Sequence, residues 1–419
     1  MWICSEFITR RVIIRNFFLN FKKFRTDRLR RSSSEHINMR ILYTGGGTLG
    51  SVSPLVALHQ RLSAFALATL KGDQANWTTA DKLQNKKKDN VIADYKFLWL
   101  GTKNGVERNM IEKEGIPYKS IPAGKLRRYF DLRNLIDLFK IKLAFWQAFF
   151  ILKKFKPEII LSAGGFVSVP VVWAGWLLKI PSIIHQQDVQ PGLANKLMAP
   201  MAARITVALD ISLKDYPKKK TILVGNPVRD MRYEIRDKNI FKFNNNLPTV
   251  LVVGGGTGAL AINKLIEDSL EKLIKFCNII HVTGKGKSQS VKESRVKDNY
   301  KAFEFLDEEM YVAIQTADLI ISRAGMSALT ELAYFSKPTI VIPIPNSHQE
   351  KNAQYFSDHS AVEYLDQKDL TGSKLSPKIK ELLENKNKLE SLSKNIHQIF
   401  VDYSGEKIIQ EIKEIILKK

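Results

Sequence analysis

From Met39 onward, short apolar runs rich in Val, Ile and Leu recur along the chain, each running into glycine or polar residues. "RILYT", "YKFLWLGT", "PEIILSAGG", "PSIIHQQD", "RITVAL" and "KTILVGNP" form a first series. "PTVLVVGGG", "NIIHVTGKG", "YKAFEFL", "ADLIISRAG", "PTIVIPIP" and "AVEYL" form a second. Such continuous runs predict strands covered on both faces, because a half-exposed strand would alternate apolar with polar residues. Helix-like segments lie between them, notably "VSPLVALHQRLSAF" and "LIDLFKIKLAFWQAFFILKKF". Strand and helix alternating at this spacing predict parallel sheets joined by right-handed crossovers. Near the end, Ile408, Ile409, Ile412, Ile415 and Ile416 fall on one face of a further helix.

Each series opens with a glycine turn after its first strand: "ILYTGGGTLGSVSP" in the first, "VLVVGGGTGAL" in the second. The expected fold is therefore α/β, with two Rossmann-like doubly wound domains facing a cleft. Ligands of such sheets bind beyond the carboxyl ends of the strands. Glycines let backbone amides approach a ligand, and a helix start offers a positive dipole end to phosphate. The boundaries read as a basic disordered extension over 1–38, a first domain over 39–226 with 397–419 returning to it, and a second domain over 227–396. Residues 67 to 92, rich in Lys, Asn, Asp and Thr, read as a surface excursion.

Charge changes this picture more than composition does. Hydrophobic content of 44% is ordinary for a globular protein, but the formal net charge is +23. That balance favours anionic partners: phosphorylated substrates, an acidic membrane surface or nucleic acid. A solvated lysine-rich surface is the plainer reading. Residues 1 to 38 carry nine Arg/Lys against three acids, with uncharged runs too short to span a bilayer. They read either as an amphipathic anchor on anionic lipid or as an extension ahead of a domain beginning at Met39. Cys4 and Cys277 are the only cysteines, which excludes a disulfide framework and a cysteine metal cluster. No pair of aspartates stands two residues apart, so the sequence has no D-x-D metal clamp, and no metal or cofactor is expected. No nucleic-acid-binding module appears either.

"TGGGTLGSVSP", "LSAGGFVSVP", "IIHQQD" with "GLANK", "VGNPVR", "VVGGGTGA", "HVTGKG", "EFLDEEM", "SRAGMSALTEL" and "HQEKNA" follow one another in a fixed order. In that order, over about Met39 to the C-terminus, the chain resembles the MurG family, the GT-B glycosyltransferases of bacterial cell-wall synthesis. The resemblance implies transfer of GlcNAc from UDP-GlcNAc to a lipid-linked diphosphate acceptor, undecaprenyl-diphosphoryl-MurNAc-pentapeptide, giving lipid II at the cytoplasmic face of the membrane. It implies that Arg229 meets the donor diphosphate together with the amides of Gly256 and Thr257 and those of Met326, Ser327 and Ala328 at a helix start. Glu331, one turn further on, then accepts the ribose hydroxyls, and the backbone of Leu306 meets the uracil edge. Gln349 and Asn352 fall to the sugar hydroxyls, and Thr48, Leu49, Gly50 and Asp188 border the donor. Each has a plainer reading as well: Arg229 in a surface ion pair, Glu331 as a solvated helical acid, Leu306 as core.

On the acceptor side, Gly46, Gly47, Gly164 and Gly165 leave room for a bulky diphosphate. Lys125, Arg127 and Arg128, with Tyr129, Phe130 and the aromatic helix beyond, read as a surface for anionic lipid, or else as charges flanking a core helix. The catalytic base is where the sequence departs from the family. Its first turn usually reads G-G-T-G-G-H, and here Ser51 stands at the histidine, a hydroxyl that cannot serve as base alone. Gln186 likewise replaces a carboxylate and Asp188 an amide. Asp188, His185 and Ser51 are the catalytic candidates, with His185 equally readable as a satisfied histidine at a strand end. Three functions stay open: this transferase, a related one with a different lipid or small-molecule acceptor, and a nucleotide-sugar binder without turnover.

Overall fold

The structure is a computed structural model that describes residues 39–70, 95–124, 133–229, 240–255 apart from 242, 244 and 245, 258–287 and 298–417. The 1–38 extension therefore lies outside the described residues. The first half contains β1 (Met39–Thr44), α1 (Leu49–Leu70), β2 (Tyr95–Thr102), α2 (Glu107–Lys113), β3 (Tyr118–Ile121) and α3 (Arg133–Phe155). It continues with β4 (Ile159–Ser162), α4 (Ser168–Leu177), β5 (Ser182–Gln186), α5 (Leu193–Met198), β6 (Arg204–Val207) and β7 (Thr221–Leu223). The second half runs β8 (Thr249–Val253), α6 (Leu260–Leu273), β9 (Asn278–Val282), β10 (Tyr300–Phe303), α7 (Glu309–Thr316), β11 (Leu319–Ser322) and α8 (Met326–Tyr334). It closes with β12 (Thr339–Val341), α9 (His348–Asp358), β13 (Glu363–Tyr364), α10 (Gly372–Glu384), α11 (Lys386–His397) and α12 (Glu406–Leu417).

Two parallel sheets result, ordered β3-β2-β1-β4-β5-β6-β7 and β10-β9-β8-β11-β12-β13. In the first, strand order reverses between β1 and β4, and in the second between β8 and β11. These are the two topological switch points, where a doubly wound sheet opens a crevice beyond its strand ends. The glycine turns after β1, β4 and β8, and Gly325 after β11, all stand at one or the other.

Alternation along β1 shows why its run is continuously apolar. Ile41 and Tyr43 join Val52, Leu55 and Leu58 of α1, while Leu42 faces Phe149, Val171 and Met198 from α3 to α5. The final helix places Ile408, Ile409 and Ile412 in the β1–α1 cluster, so the chain's end packs on the first sheet. Full burial of each such side chain contributes about 1.5–3 kcal/mol. The second sheet is covered by α6 and α10 on one face and by α7, α8 and α9 on the other. Ala208 and Leu209 from the first half enter that latter cluster.

Two features differ from the sequence reading. β3 was not expected: Lys119 and Ser120 are exposed at an edge, and pairing with β2 supplies what the local sequence lacks. Helix α1 starts at Leu49 and reaches Leu70, so the 67–92 excursion begins as helix, and 71–94 lie outside the described residues.

Candidate active site

The first switch point is built around the turn over 45–48. Thr48 begins α1, and its Oγ1 accepts the Ser51 amide at 3.3 Å, satisfying one of the orphan donors of a helix start. Ser51 Oγ in turn donates to the Thr48 carbonyl at 2.9 Å. Ser51 thus sits in the first turn of α1, its hydroxyl proton already committed to that turn. The glycine expectation needs a correction. A Cβ on Gly165 would strike the Gly46 backbone, and one on Gly164 would sit 3.2 Å from Asn195 Oδ1. The missing side chains let the turns after β1 and β4 pack on each other, rather than opening room for a ligand. Of Gly46, Gly47, Gly164 and Gly165, Gly47 alone faces open space.

One residue the sequence reading missed lies beneath this turn. Glu107, fully buried, accepts from Thr102 N at 3.0 Å and Thr102 Oγ1 at 2.6 Å through Oε1; Tyr118 Oη lies 3.3 Å from the same oxygen and 2.7 Å from the Thr102 carbonyl, the nearer acceptor for its one proton. Its Oε2 accepts from Gly47 N at 3.3 Å. Burial pushes its pKa up, but the bonds from Thr102, its own amide and Gly47 outweigh that and hold it below the usual value. The available signal was "GTKNGVE", an acid directly after a strand end and a glycine-bearing turn.

His185 is corrected as a catalytic candidate. It is 3% exposed, with Nδ1 3.0 Å from Thr206 Oγ1 and Nε2 donating to Asn226 Oδ1 at 2.9 Å. Burial takes its pKa down to about 4, against a smaller opposing effect of the Asn226 bond. It is a neutral, satisfied histidine sealed inside the first half. Gln186 is likewise a knot: it donates to the Asp188 and Gln190 carbonyls and accepts from Asn195 and Tyr216. That knot shapes the loop holding Asp188.

Asp188 is half-buried and reaches across to the second half, where its Oδ1 accepts Asn352 Nδ2 at 2.9 Å. Asn352 is fully buried: Nδ2 also donates to the Ala324 carbonyl at 3.1 Å, and Oδ1 accepts from Val189 N at 3.1 Å. Both of its N–H groups are used, so Asn352 holds the two halves together at the place where the sequence set a sugar contact. Asn226 Nδ2 to Thr330 Oγ1, at 2.7 Å, is a second clasp.

On the far side of the crevice, α8 begins after Gly325 with no side-chain cap, so its first amides, Met326, Ser327 and Ala328, have no partner from the cap residue. A Cβ on Gly50 would lie 3.6 Å from Ser327 Cβ, so the starts of α1 and α8 face each other. Glu331 follows one turn along α8, with Oε1 3.9 Å from Arg229 Nη2. Burial raises the Glu331 pKa, and the Arg229 guanidinium pulls the other way. Among the described residues, Arg229 Nε is buried without a hydrogen-bond partner. Gln349 begins α9 beside Gly325, with Oε1 accepting the Ile344 amide at 3.2 Å. The Leu306 side chain is buried in the core. Gly256, Thr257, Lys125, Arg127, Arg128, Tyr129 and Phe130 lie outside the described residues, as does the side chain of Leu49. Among the described residues no cluster of His, Cys, Asp or Glu is arranged to hold a metal ion.

Residues 249–410 match the glycosyltransferase family 28 C-terminal domain, and residues 78–207 match the family 28 N-terminal domain. A UDP-N-acetylglucosamine–N-acetylmuramyl-(pentapeptide) pyrophosphoryl-undecaprenol N-acetylglucosamine transferase of Clostridium tetani is 36% identical over 85% of this chain and 93% of the relative. A Bacillus cereus protein of the same name is 34% identical over 89% and 97% respectively. In fold, the chain is similar to the crystal structure of Acinetobacter baumannii MurG, with a TM-score of 0.66 and 23% identity over 90% of this chain and 99% of that one.

Proposed function

We infer a sugar transfer, because the chain belongs to the family of UDP-N-acetylglucosamine–N-acetylmuramyl-(pentapeptide) pyrophosphoryl-undecaprenol N-acetylglucosamine transferases. Its paired sheets are the GT-B fold. The protein moves GlcNAc from UDP-GlcNAc to the lipid-linked MurNAc-pentapeptide, forming lipid II. The observation that carries this reading is the convergence, on one wall of the crevice, of the α8 start, Arg229 and Glu331, with the α1 start opposite.

On this reading the work divides as follows. The α8 amides and Arg229 receive the diphosphate, whose negative charge grows as the bond to the sugar breaks. Glu331 accepts the ribose hydroxyls, and Gln349 stands at the sugar. The acceptor 4-hydroxyl attacks C1 of the α-linked GlcNAc, the bond from C1 to the diphosphate oxygen breaks, and UDP departs with that electron pair. Configuration at C1 inverts in this single displacement. The hydroxyl proton passes to the free carboxylate oxygen of Asp188. Incubating labelled UDP-GlcNAc with the lipid-linked acceptor in detergent tests the reading: a β-1,4-linked product is expected. Transfer only to another acceptor, or UDP-GlcNAc binding without product, overturns it.

The lipid tail of the acceptor requires a membrane-facing surface, and α3 supplies one. Its buried face, Ala144, Ala148, Phe149 and Leu152, is core, while Phe139, Leu143, Trp146 and Phe150 form an exposed stripe, and Trp176 of α4 is exposed as well. Phe139 is 69% and Phe150 62% exposed, high for such side chains in water. Exposed Lys140, Lys142, Lys153, Lys154 and Lys179 flank them. An aromatic stripe flanked by lysines suits a surface that lies on an anionic bilayer; among the described residues no helix is long and apolar enough to cross a membrane. Anionic vesicles are expected to pull the protein down, with salt releasing it. The double variant W146S/F150S is expected to lower vesicle partitioning at least about 10-fold, since one buried aromatic contributes about 1.5–3 kcal/mol. Unchanged cosedimentation of that variant moves membrane binding elsewhere in the chain.

A further inference from the structure

We propose that Glu107 is a positioning residue for the acceptor: its carboxylate fixes the turn over 45–48 and, through it, the start of α1 that forms the acceptor-side wall of the crevice. The proposal rests on the transferase reading above, and goes beyond it by assigning a role to a group that touches neither substrate.

A buried carboxylate is costly unless it is fully hydrogen-bonded, and a position used only for packing is ordinarily filled by an apolar side chain. Glu107 instead ties together two separate elements through Thr102 and Gly47, with the Tyr118 hydroxyl, whose proton goes to the Thr102 carbonyl at 2.7 Å, alongside. Thr102 ends β2, Tyr118 belongs to β3, and Gly47 lies in the turn after β1. The surrounding sequence is cleared for it. A Cβ on Gly46 or Gly105 would run into the carboxylate, and one on Gly101 would run into the Tyr118 hydroxyl. Gly47 is the exposed apex, at φ +93°, and its amide is turned inward onto Oε2. That bond sets the backbone immediately before Thr48, which caps α1 and holds Ser51. Gly50, two residues after Thr48, meets Ser327 across the crevice. The diphosphate and ribose contacts proposed for UDP, by contrast, come from α8 and Arg229, neither of which bonds Glu107 among the contacts described above, so UDP affinity reads them separately from Thr48, Leu49 and Gly50, which the sequence sets beside the donor.

This division gives a distinguishing signature. Glu107→Gln keeps the shape but confronts a cluster of donors with an N–H, so at least one bond is lost and the turn is released. In the full-length protein, the acceptor KM is expected to rise at least about 10-fold, while UDP affinity by calorimetry changes less than about twofold. Glu107→Asp keeps the charge but is too short to satisfy Thr102 and Gly47 together. It is expected to raise acceptor KM by a smaller factor, and it serves as the test if the Gln variant melts below assay temperature. A folded variant whose acceptor KM stays within twofold of wild type overturns the proposal. So does a loss of UDP affinity in step with acceptor KM, which marks a merely structural residue. If wild type makes no product from the lipid-linked acceptor, the transferase reading falls first and the proposal falls with it.

Discussion

Exchanging Asp188 for asparagine is expected to cut turnover by roughly 10²–10⁴-fold, the usual contribution of a general base, with UDP affinity little changed. The other two catalytic candidates are occupied. His185 is sealed between Thr206 and Asn226, and Ser51 donates its proton to the Thr48 carbonyl. Asp188 stands at the carboxyl end of β5 and spends one oxygen on Asn352; the other accepts no hydrogen bond among the described residues. The substitution is informative because an asparagine oxygen still accepts from Asn352 Nδ2. The clasp between the halves survives, and only the charge is removed. Asp188→Ala loses both, and is expected to weaken donor binding as well as turnover. Full turnover in the asparagine variant removes Asp188 as base. Equal loss of UDP affinity and turnover in that variant, whose clasp is kept, assigns the carboxylate to holding the donor instead.

The fold was largely legible because its signals are local. β1, β4, β5, β8 and β11 are buried on both faces, and burial on both faces dictates an unbroken apolar run. β3 escaped notice because an edge strand with Lys119 and Ser120 in the open carries no such run. Its pairing is imposed by β2. The α3 helix offered two readings, membrane surface or core. It proves to have both a core face and an exposed aromatic stripe, a split that follows from its length and its place outside the sheet.

The site divides along the same line. The start of α8, with Glu331 one turn on, is a matter of spacing within a single helix, and the sequence displays it. What the sequence hides is who meets whom across long separations. Glu107 reaches Gly47 across 60 residues, His185 reaches Asn226 across 41, and Asp188 reaches Asn352 across 164. Each of those bonds changed a reading: an unremarked acid became the support of a turn, a candidate base became a buried strut, and a clasp stands at the place set for a sugar contact. Polar residues at strand ends are open to either role, and only the partner decides.

Glu331→Gln is expected to move stability and binding in opposite directions. Glu331 is half-buried, its side chain 21% exposed, in a position where its charged form is disfavoured, and the Arg229 guanidinium at 3.9 Å relieves that only in part. Its folded pKa is therefore raised above the unfolded value of about 4.3. The folded state then binds the proton more tightly than the unfolded state does. Stability falls as pH rises from the unfolded value through the folded one, and the full cost is present at neutral pH. Glutamine has no charge to bury, so the unliganded variant is expected to melt above wild type at pH 7, with the gap closing toward pH 4. UDP binding is expected to weaken by about 1–3 kcal/mol, because a charged acceptor for the ribose hydroxyls is gone. Arg229→Ala removes the one group that offsets the buried charge, so it should lower both melting temperature and UDP affinity. Arg229→Lys should recover only part of the affinity, since an ammonium cannot reproduce the planar fork. Calorimetry showing wild-type UDP affinity in a folded Glu331→Gln protein takes Glu331 out of the donor site. A melting temperature at pH 7 below wild type shows instead that Arg229 already compensates the carboxylate in full.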